Sequence, residues 1–203
     1  MTFIPKPVWR GRLHLIWFPL SLLAGAFLIR AAPGTAVYAI SVSAMFGTSA
    51  LYHRVDRPLG LRRVLQRADH LMIFVLIAGT ATPMYRYAAP HGRAGVILTW
   101  AVAAVAAGLH VSRMRAPERV VGGTYLALAA VAVPAFPLVW LHAGPLVGAL
   151  AAAAGLLYVA GALTYHYRRP NPSPAVFGYH EVFHALICAA ATCHYTAVFL
   201  LTT

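Results

Sequence analysis

The chain has 203 residues, of which 61% are hydrophobic and only 10% are charged, and its mean hydropathy is +0.72. This composition excludes a soluble globular domain and is typical of a protein that crosses a membrane several times. The net charge of +12 would suggest nucleic-acid binding in a soluble chain, but here the basic residues lie in short segments between apolar runs, so no nucleic-acid partner is expected.

Seven apolar segments are long enough to cross a bilayer core, which needs about 20 residues per helix. In chain order they cover residues 13–29, 36–52, 68–85, 94–111, 124–141, 145–165 and 177–201. Short connections that contain proline or glycine separate most of them and leave no room for an extramembrane domain. The sequence therefore predicts an all-α membrane protein whose residues 1–203 form one domain, a bundle of seven transmembrane helices.

The basic residues are distributed unequally between the two sides of this predicted bundle. Thirteen of the 16 Lys and Arg residues fall on the side of the N-terminus, and Arg30, Arg86 and Arg93 fall on the other side. Because basic loops stay in the cytoplasm, the N-terminus is predicted to be cytoplasmic and the C-terminus outside. We expect a protein of the inner (plasma) membrane with membrane lipids as partners, and the sequence leaves the oligomeric state open.

Polar residues recur at the predicted cytoplasmic ends of three spans. The second span carries Ser49 and, one helical turn later, His53, the third begins near Asp69, and the seventh begins near His180 and His184. Two histidines four residues apart lie on one helix face, a spacing that offers two imidazoles to one metal ion. Because ionisable groups are costly within a membrane, the five residues predict a functional site.

Other histidines compete for a place in this site. Four fall near the same end of the bundle, and spacing alone does not exclude them as ligands: His14, His70, His110 and His166. Two more, His91 and His142, belong to predicted external loops, and His194 lies about 15 Å from His184 along the helix axis. These last three are excluded as ligands of the same ion.

The stretch from His180 to His184 also contains the short motif of zinc proteases, in which Glu181 would act as general base. The extended form of that motif requires glycine and histidine where this chain has Ile187 and Ala190. No acidic ligand follows Glu181, so an intramembrane protease is the weaker hypothesis. The role of Glu181 is left open.

The motifs resemble those of the bacterial hemolysin III proteins, relatives of the progestin and adipoQ receptors and of the alkaline ceramidases. The resemblance covers nearly the whole chain and rests on Ser49-x-x-x-His53, Asp69-His70, Ile77-Ala78-Gly79-Thr80-Ala81-Thr82-Pro83, His180-Glu181-Val182-Phe183-His184 and Cys193-His194-Tyr195.

The resemblance implies a zinc ion held by His53, His180 and His184, without Glu181 as a ligand. It further implies that Asp69 orients a water at the fourth position and that Ser49 lies beside it, so Asp69 and Ser49 are the catalytic candidates. Two structural alternatives stay open: Asp69 as a helix N-cap or as the counter-ion of a nearby arginine, and Ser49 bonded to its own helix backbone.

The process that the resemblance implies is membrane-lipid homeostasis, and three functions fit it. The first is a zinc-dependent hydrolase of lipid amides or esters, and the second is a non-enzymatic, receptor-like protein in which zinc is structural. The third is a pore-forming hemolysin, which is disfavoured because the chain has no amphipathic segment that could leave solution and insert.

Overall fold

The computed structural model of the chain describes residues 6–54, 58–88, 92–112 and 118–203. Seven helical segments within these ranges are long and apolar enough to cross a membrane, which agrees with the predicted bundle of seven spans. His91, assigned above to a loop, lies outside the described ranges, as do three of the thirteen basic residues counted on the N-terminal side, Arg57, Arg113 and Arg115.

Eight α-helices form within the described ranges: α1 (Arg12–Ala31), α2 (Ala36–Arg54), α3 (Leu59–Ala88), α4 (Gly92–Ser112), α5 (Glu118–Ala132), α6 (Ala135–Ala143), α7 (Pro145–Tyr167) and α8 (Tyr179–Thr202). A short 3-10 turn, Pro33–Thr35, leads into α2.

Two of the predicted spans differ from the observed helices for identifiable reasons. Helix α3 begins at Leu59 rather than at 68, because arginines are compatible with a helix although they are not compatible with hydrocarbon. The predicted span 124–141 consists of α5 and α6, which meet at Val133 and Pro134. Proline lacks the backbone N–H that would continue the first helix.

The outer surface of the bundle is apolar, whereas polar side chains lie inside it. Leu141 is 76% exposed, and Leu23 and Leu156 are similarly exposed, while Ser41 and Thr82 are buried. A large exposed apolar surface is unfavourable in water and matches the tails of a lipid bilayer. The distribution of side chains therefore fits a multi-pass membrane protein.

Neighbouring helices in the sequence also pack side by side, α1 on α2, α2 on α3 and α7 on α8, and α8 additionally touches α1 and α3. Small residues permit the close approach of α3 to α2: a Cβ atom added at Gly79 would lie 2.3 Å from the Ser41 Oγ. This packing holds the start of α3 near the end of α2.

The end of α2 and the first turn of α8 meet at the end of the bundle where α1 begins. The backbone N–H groups of Val8 and Trp9 donate hydrogen bonds of 3.1 Å to the carbonyl oxygens of Ala175 and Val176. The segment before α1 therefore runs along the loop between α7 and α8. That this end faces the cytoplasm stays a prediction from the loop charges.

Candidate metal centre

Three imidazoles come together at this end of the bundle. His53 lies in the last turn of α2, and His180 and His184 lie in the first two turns of α8. One ring nitrogen from each histidine lies within 4.8 Å of the other two, and the Nε2 atoms of His53 and His180 are 3.3 Å apart. In the part of the chain that the structure describes, no other set of three His, Cys, Asp or Glu side chains meets this criterion.

The donor set fits a tetrahedral metal ion. Two nitrogens bound to zinc at about 2.0–2.1 Å each, with a tetrahedral angle between them, are separated by about 3.3–3.4 Å. The distance between His53 Nε2 and His180 Nε2 matches this value. Imidazole suits zinc and several other transition metals, and three ligands leave a fourth position free. The three histidines can therefore hold a metal ion, whose identity is taken up below as a proposal.

Asp69 stands at the edge of the histidine group, as its position at the start of the third span suggested. Its Oδ2 is 3.9 Å from His53 Nε2, which is too long for a hydrogen bond and short enough for one bridging water. Ser49, one turn before His53 on α2, is buried, and its hydroxyl lies near enough to the Asp69 carboxylate to interact with it. The five residues selected from the sequence thus lie together.

The structural alternatives for Asp69 fit less well. Because α3 begins at Leu59, Asp69 lies in the interior of the helix and cannot be its N-cap. Among the described residues, no ion pair joins Asp69 to Arg63 or Arg67, and the basic side chain within 4.0 Å of its carboxylate is His53.

Glu181 caps α8 and does not face the histidine group. It is 1% exposed, and its Oε2 accepts a hydrogen bond of 2.9 Å from the backbone N–H of the N-cap residue Gly178, which is the glutamate half of a capping box. Its Oε1 accepts a 2.7 Å bond from Arg10 Nε. Because both oxygens are engaged, Glu181 lacks the free carboxylate that the protease hypothesis requires.

His14, one of the four competing histidines, supports the centre from α1. Its ring lies parallel to that of His184, with centroids 3.8 Å apart and an interplanar angle of 2°. A metal ion in the plane of the His184 ring would lie outside the parallel plane of His14, so His14 in this orientation does not share the ion. Instead it restricts rotation of the His184 ring.

The other three competitors lie elsewhere. His70 follows Asp69 but faces α4, where its ring centroid is 5.6 Å from that of His110. His110 also contacts Phe74, and His166 is exposed near the end of α7. The structure therefore separates these three from the histidine group, a distinction that helix spacing could not make.

Sequence reasoning missed the contribution of the segment before α1. Gly11 has φ +74°, and a Cβ atom added there would lie 2.6 Å from the Cβ of His53. Next to it, Arg10 pairs with Glu181, so the two residues connect the ends of α2 and α8. A glycine and an arginine near a basic N-terminus carry no pattern that would have predicted these contacts.

Comparison with known protein families identifies one match that spans the candidate centre. A family model described as "Haemolysin-III related" matches residues 3–195. The matched range includes the segment before α1, the ends of α2 and α3, and the three histidines.

Proposed function

Since the chain belongs to the haemolysin-III related family, we propose that it is a resident zinc protein of the inner membrane that hydrolyses an amide or ester bond of a membrane lipid. His53, His180 and His184 would hold the zinc ion. The observation that supports this proposal is a set of three histidines with one position left for a fourth ligand and a carboxylate, Asp69, beside it. When bound in such a site, zinc supplies Lewis acidity that activates water and polarises a carbonyl group.

Asp69 and Ser49 have distinct roles in this proposal. The Asp69 carboxylate, whose Oδ2 is 3.9 Å from the ligand atom His53 Nε2, is close enough to the three histidines to accept a proton from a water that would occupy the fourth ligand position. The Ser49 hydroxyl, which lies beside that carboxylate, would donate a hydrogen bond to it and keep it in place. Ser49 therefore positions the base and takes no part in the bond cleavage itself.

The depth of the centre favours a lipid as substrate. His184 lies five residues beyond the first residue of α8, which is about 7.5 Å along the helix axis. A group at that depth in a transmembrane helix is close to the boundary between headgroups and acyl chains, because the hydrocarbon core is about 30 Å thick. The amide and ester bonds of membrane lipids occur at this boundary.

The proposal is tested by offering ceramides, acyl amides and lysolipids to the purified, zinc-loaded protein. We expect turnover of at least one class, and we expect Asp69→Asn to lower kcat by about 100-fold or more while zinc content stays the same. His70→Asn is the matched control, because His70 is the next residue but faces α4. Absence of turnover on the whole panel, with the metal-stripped protein behaving identically, would overturn the proposal.

A second candidate function is a non-enzymatic protein in which the metal fastens helices together. It is favoured by the packing of α8, which lies mainly against α7, while the histidine group links α8 to α2. On this hypothesis, chelation and His53→Ala both lower the melting temperature in detergent, and no lipid is turned over. If chelation leaves the melting temperature unchanged, the structural role is contradicted.

A further inference from the structure

A second group of polar side chains lies inside the bundle, away from the histidines. It comprises the hydroxyls of Tyr38, Thr80 and Tyr158 and both ring nitrogens of His194, and none of these atoms has a hydrogen-bond partner among the described residues. Tyr38, Thr80 and His194 are 2%, 6% and 3% exposed, respectively. Each side chain comes from a different helix: α2, α3, α7 and α8. We call these four residues the inner polar group.

The members of the inner polar group lie at a similar level of the bundle. The ring centroids of Tyr158 and His194 are 5.5 Å apart, and Tyr158 packs against the apolar cluster to which Tyr38 belongs.

The neighbours of Thr80 place it at the same level. Gly79 packs on Ser41 of α2, one turn from Tyr38, and Ala81 shares a packed cluster with Ala197 of α8. His194 follows His184 by ten residues, about 15 Å along the helix. The group is therefore separate from the candidate metal centre.

Other hydroxyls in the bundle do have partners, which makes this group unusual. Ser41, Thr82, Thr99 and Thr192 each donate to the carbonyl oxygen four residues earlier in the same helix. The hydroxyls of two further tyrosines donate to backbone carbonyls of other helices: Tyr85 to Val131 and Tyr195 to Ala24. Thr80 belongs to α3, as Thr82 does, but does not make the corresponding bond.

Unpaired polar groups are rare in protein interiors and are especially costly in a membrane, where no bulk water can satisfy them. When several of them share one location, a bound polar molecule is the usual explanation. Two phenols, one threonine hydroxyl and one imidazole provide both donors and acceptors and no charge. This chemistry suits a neutral hydroxyl group, and it would leave a bound ion without a counter-charge.

We propose that the inner polar group is a second binding site, in which a neutral hydroxyl is hydrogen-bonded to Tyr38, Tyr158 and His194. The hydroxyl belongs either to water or to the polar end of a bound lipid. Occupation of this site does not depend on the metal, so its test can succeed or fail independently of the proposed hydrolysis.

Thermal unfolding in detergent tests the proposal through Tyr38→Phe, Tyr158→Phe and the double variant. If a shared hydroxyl is bound, each single variant lowers the melting temperature by about 2–4 °C. The double variant then lowers the melting temperature by less than the sum of the two single effects, because both tyrosines contact the same bound hydroxyl. If the site is empty, each substitution removes an unpaired buried hydroxyl, and the melting temperature stays the same or rises. That result would overturn the proposal.

Tyr195→Phe is the matched control, because its hydroxyl already donates to the carbonyl of Ala24. When Tyr195→Phe and Tyr158→Phe are combined, their effects on the melting temperature should be additive. An experimental map that resolves ordered water gives an independent measurement, which remains useful if the double variant does not fold. The absence of density between Tyr158 and His194 in such a map would also overturn the proposal.

The two sources of the hydroxyl are distinguished by native mass spectrometry. A lipid that copurifies with the wild-type protein and is lost from Tyr158→Phe identifies a lipid hydroxyl. A lipid-free protein with density for an isolated oxygen at the site identifies water. Both results support the site, and the metal-stripped protein should give the same answer.

Discussion

The contact between Gly11 and His53 gives a direct test of how the candidate metal centre is held. Gly11→Ala would place a Cβ atom 2.6 Å from the Cβ of His53, whereas carbon atoms in contact are normally about 3.5–4.0 Å apart. One of the two residues must therefore move by about 1 Å. Metal sites tolerate deviations of only about 0.2 Å in the distance from ligand to ion.

Two effects are expected from Gly11→Ala. The backbone cost of a side chain at φ +74° is about 1–2 kcal/mol, which lowers stability. The displacement of His53 should in addition raise the Kd for the proposed zinc ion by about 10–100-fold, the usual effect of disturbing the support of a ligand. Competition with a chromophoric chelator in detergent measures the Kd.

Gly144→Ala is the control that separates these two effects. Gly144 also has a positive φ, +88°, but nothing lies within 4 Å of a Cβ added there. Because its ψ of 170° lies in a region that is essentially restricted to glycine, this variant should lose at least as much stability as Gly11→Ala and keep the wild-type affinity for the metal. The reasoning is refuted if Gly11→Ala binds zinc as tightly as the wild-type protein, or if Gly144→Ala weakens zinc binding equally.

Two further substitutions test neighbours of the centre. Glu181→Gln should lower the free energy of unfolding by about 2 kcal/mol. Breaking a fully buried ion pair costs roughly 3–5 kcal/mol, and the loss should be smaller here because the Arg10 side chain is 22% exposed. Unfolding titration in SDS measures this loss, and the zinc content of the variant should equal that of the wild-type protein. A variant that loses zinc but keeps its full stability would contradict the capping role of Glu181. His14→Ala should weaken zinc binding by about tenfold, whereas His14→Phe should retain it, because phenylalanine can still stack on His184. Equal weakening in both variants, measured by the same chelator competition, would show that stacking is not what matters.

Several features of the centre were predictable because they depend on local spacing or on depth in the membrane. His180 and His184 share a helix face because they are four residues apart. Ser49, His53 and Asp69 were placed at the same end of the bundle because successive spans alternate in direction. The membership of the third histidine was not predictable in this way, since the choice of His53 over its competitors came from a family resemblance.

Glu181 illustrates where a local motif is misleading. Its position between the two histidines matches a protease motif, yet a rotation of about 100° per residue turns it from the face that they share. Its partners are Gly178, which is near in sequence, and Arg10, which is far away. A motif specifies residue types and spacing, but the direction of a side chain depends on what packs around it.

The sequence by itself determined that the chain has seven segments long and apolar enough to cross a membrane, and near which end of its segment each polar residue lies. The physical reason is that each span must satisfy its own backbone hydrogen bonds in lipid. Its length and apolar character can therefore be read from its own stretch of sequence. Lateral neighbours are decided instead by the packing of side chains between helices. Only the tertiary structure could bring His53 within 3.3 Å of His180, 127 residues later, and place His14 on His184.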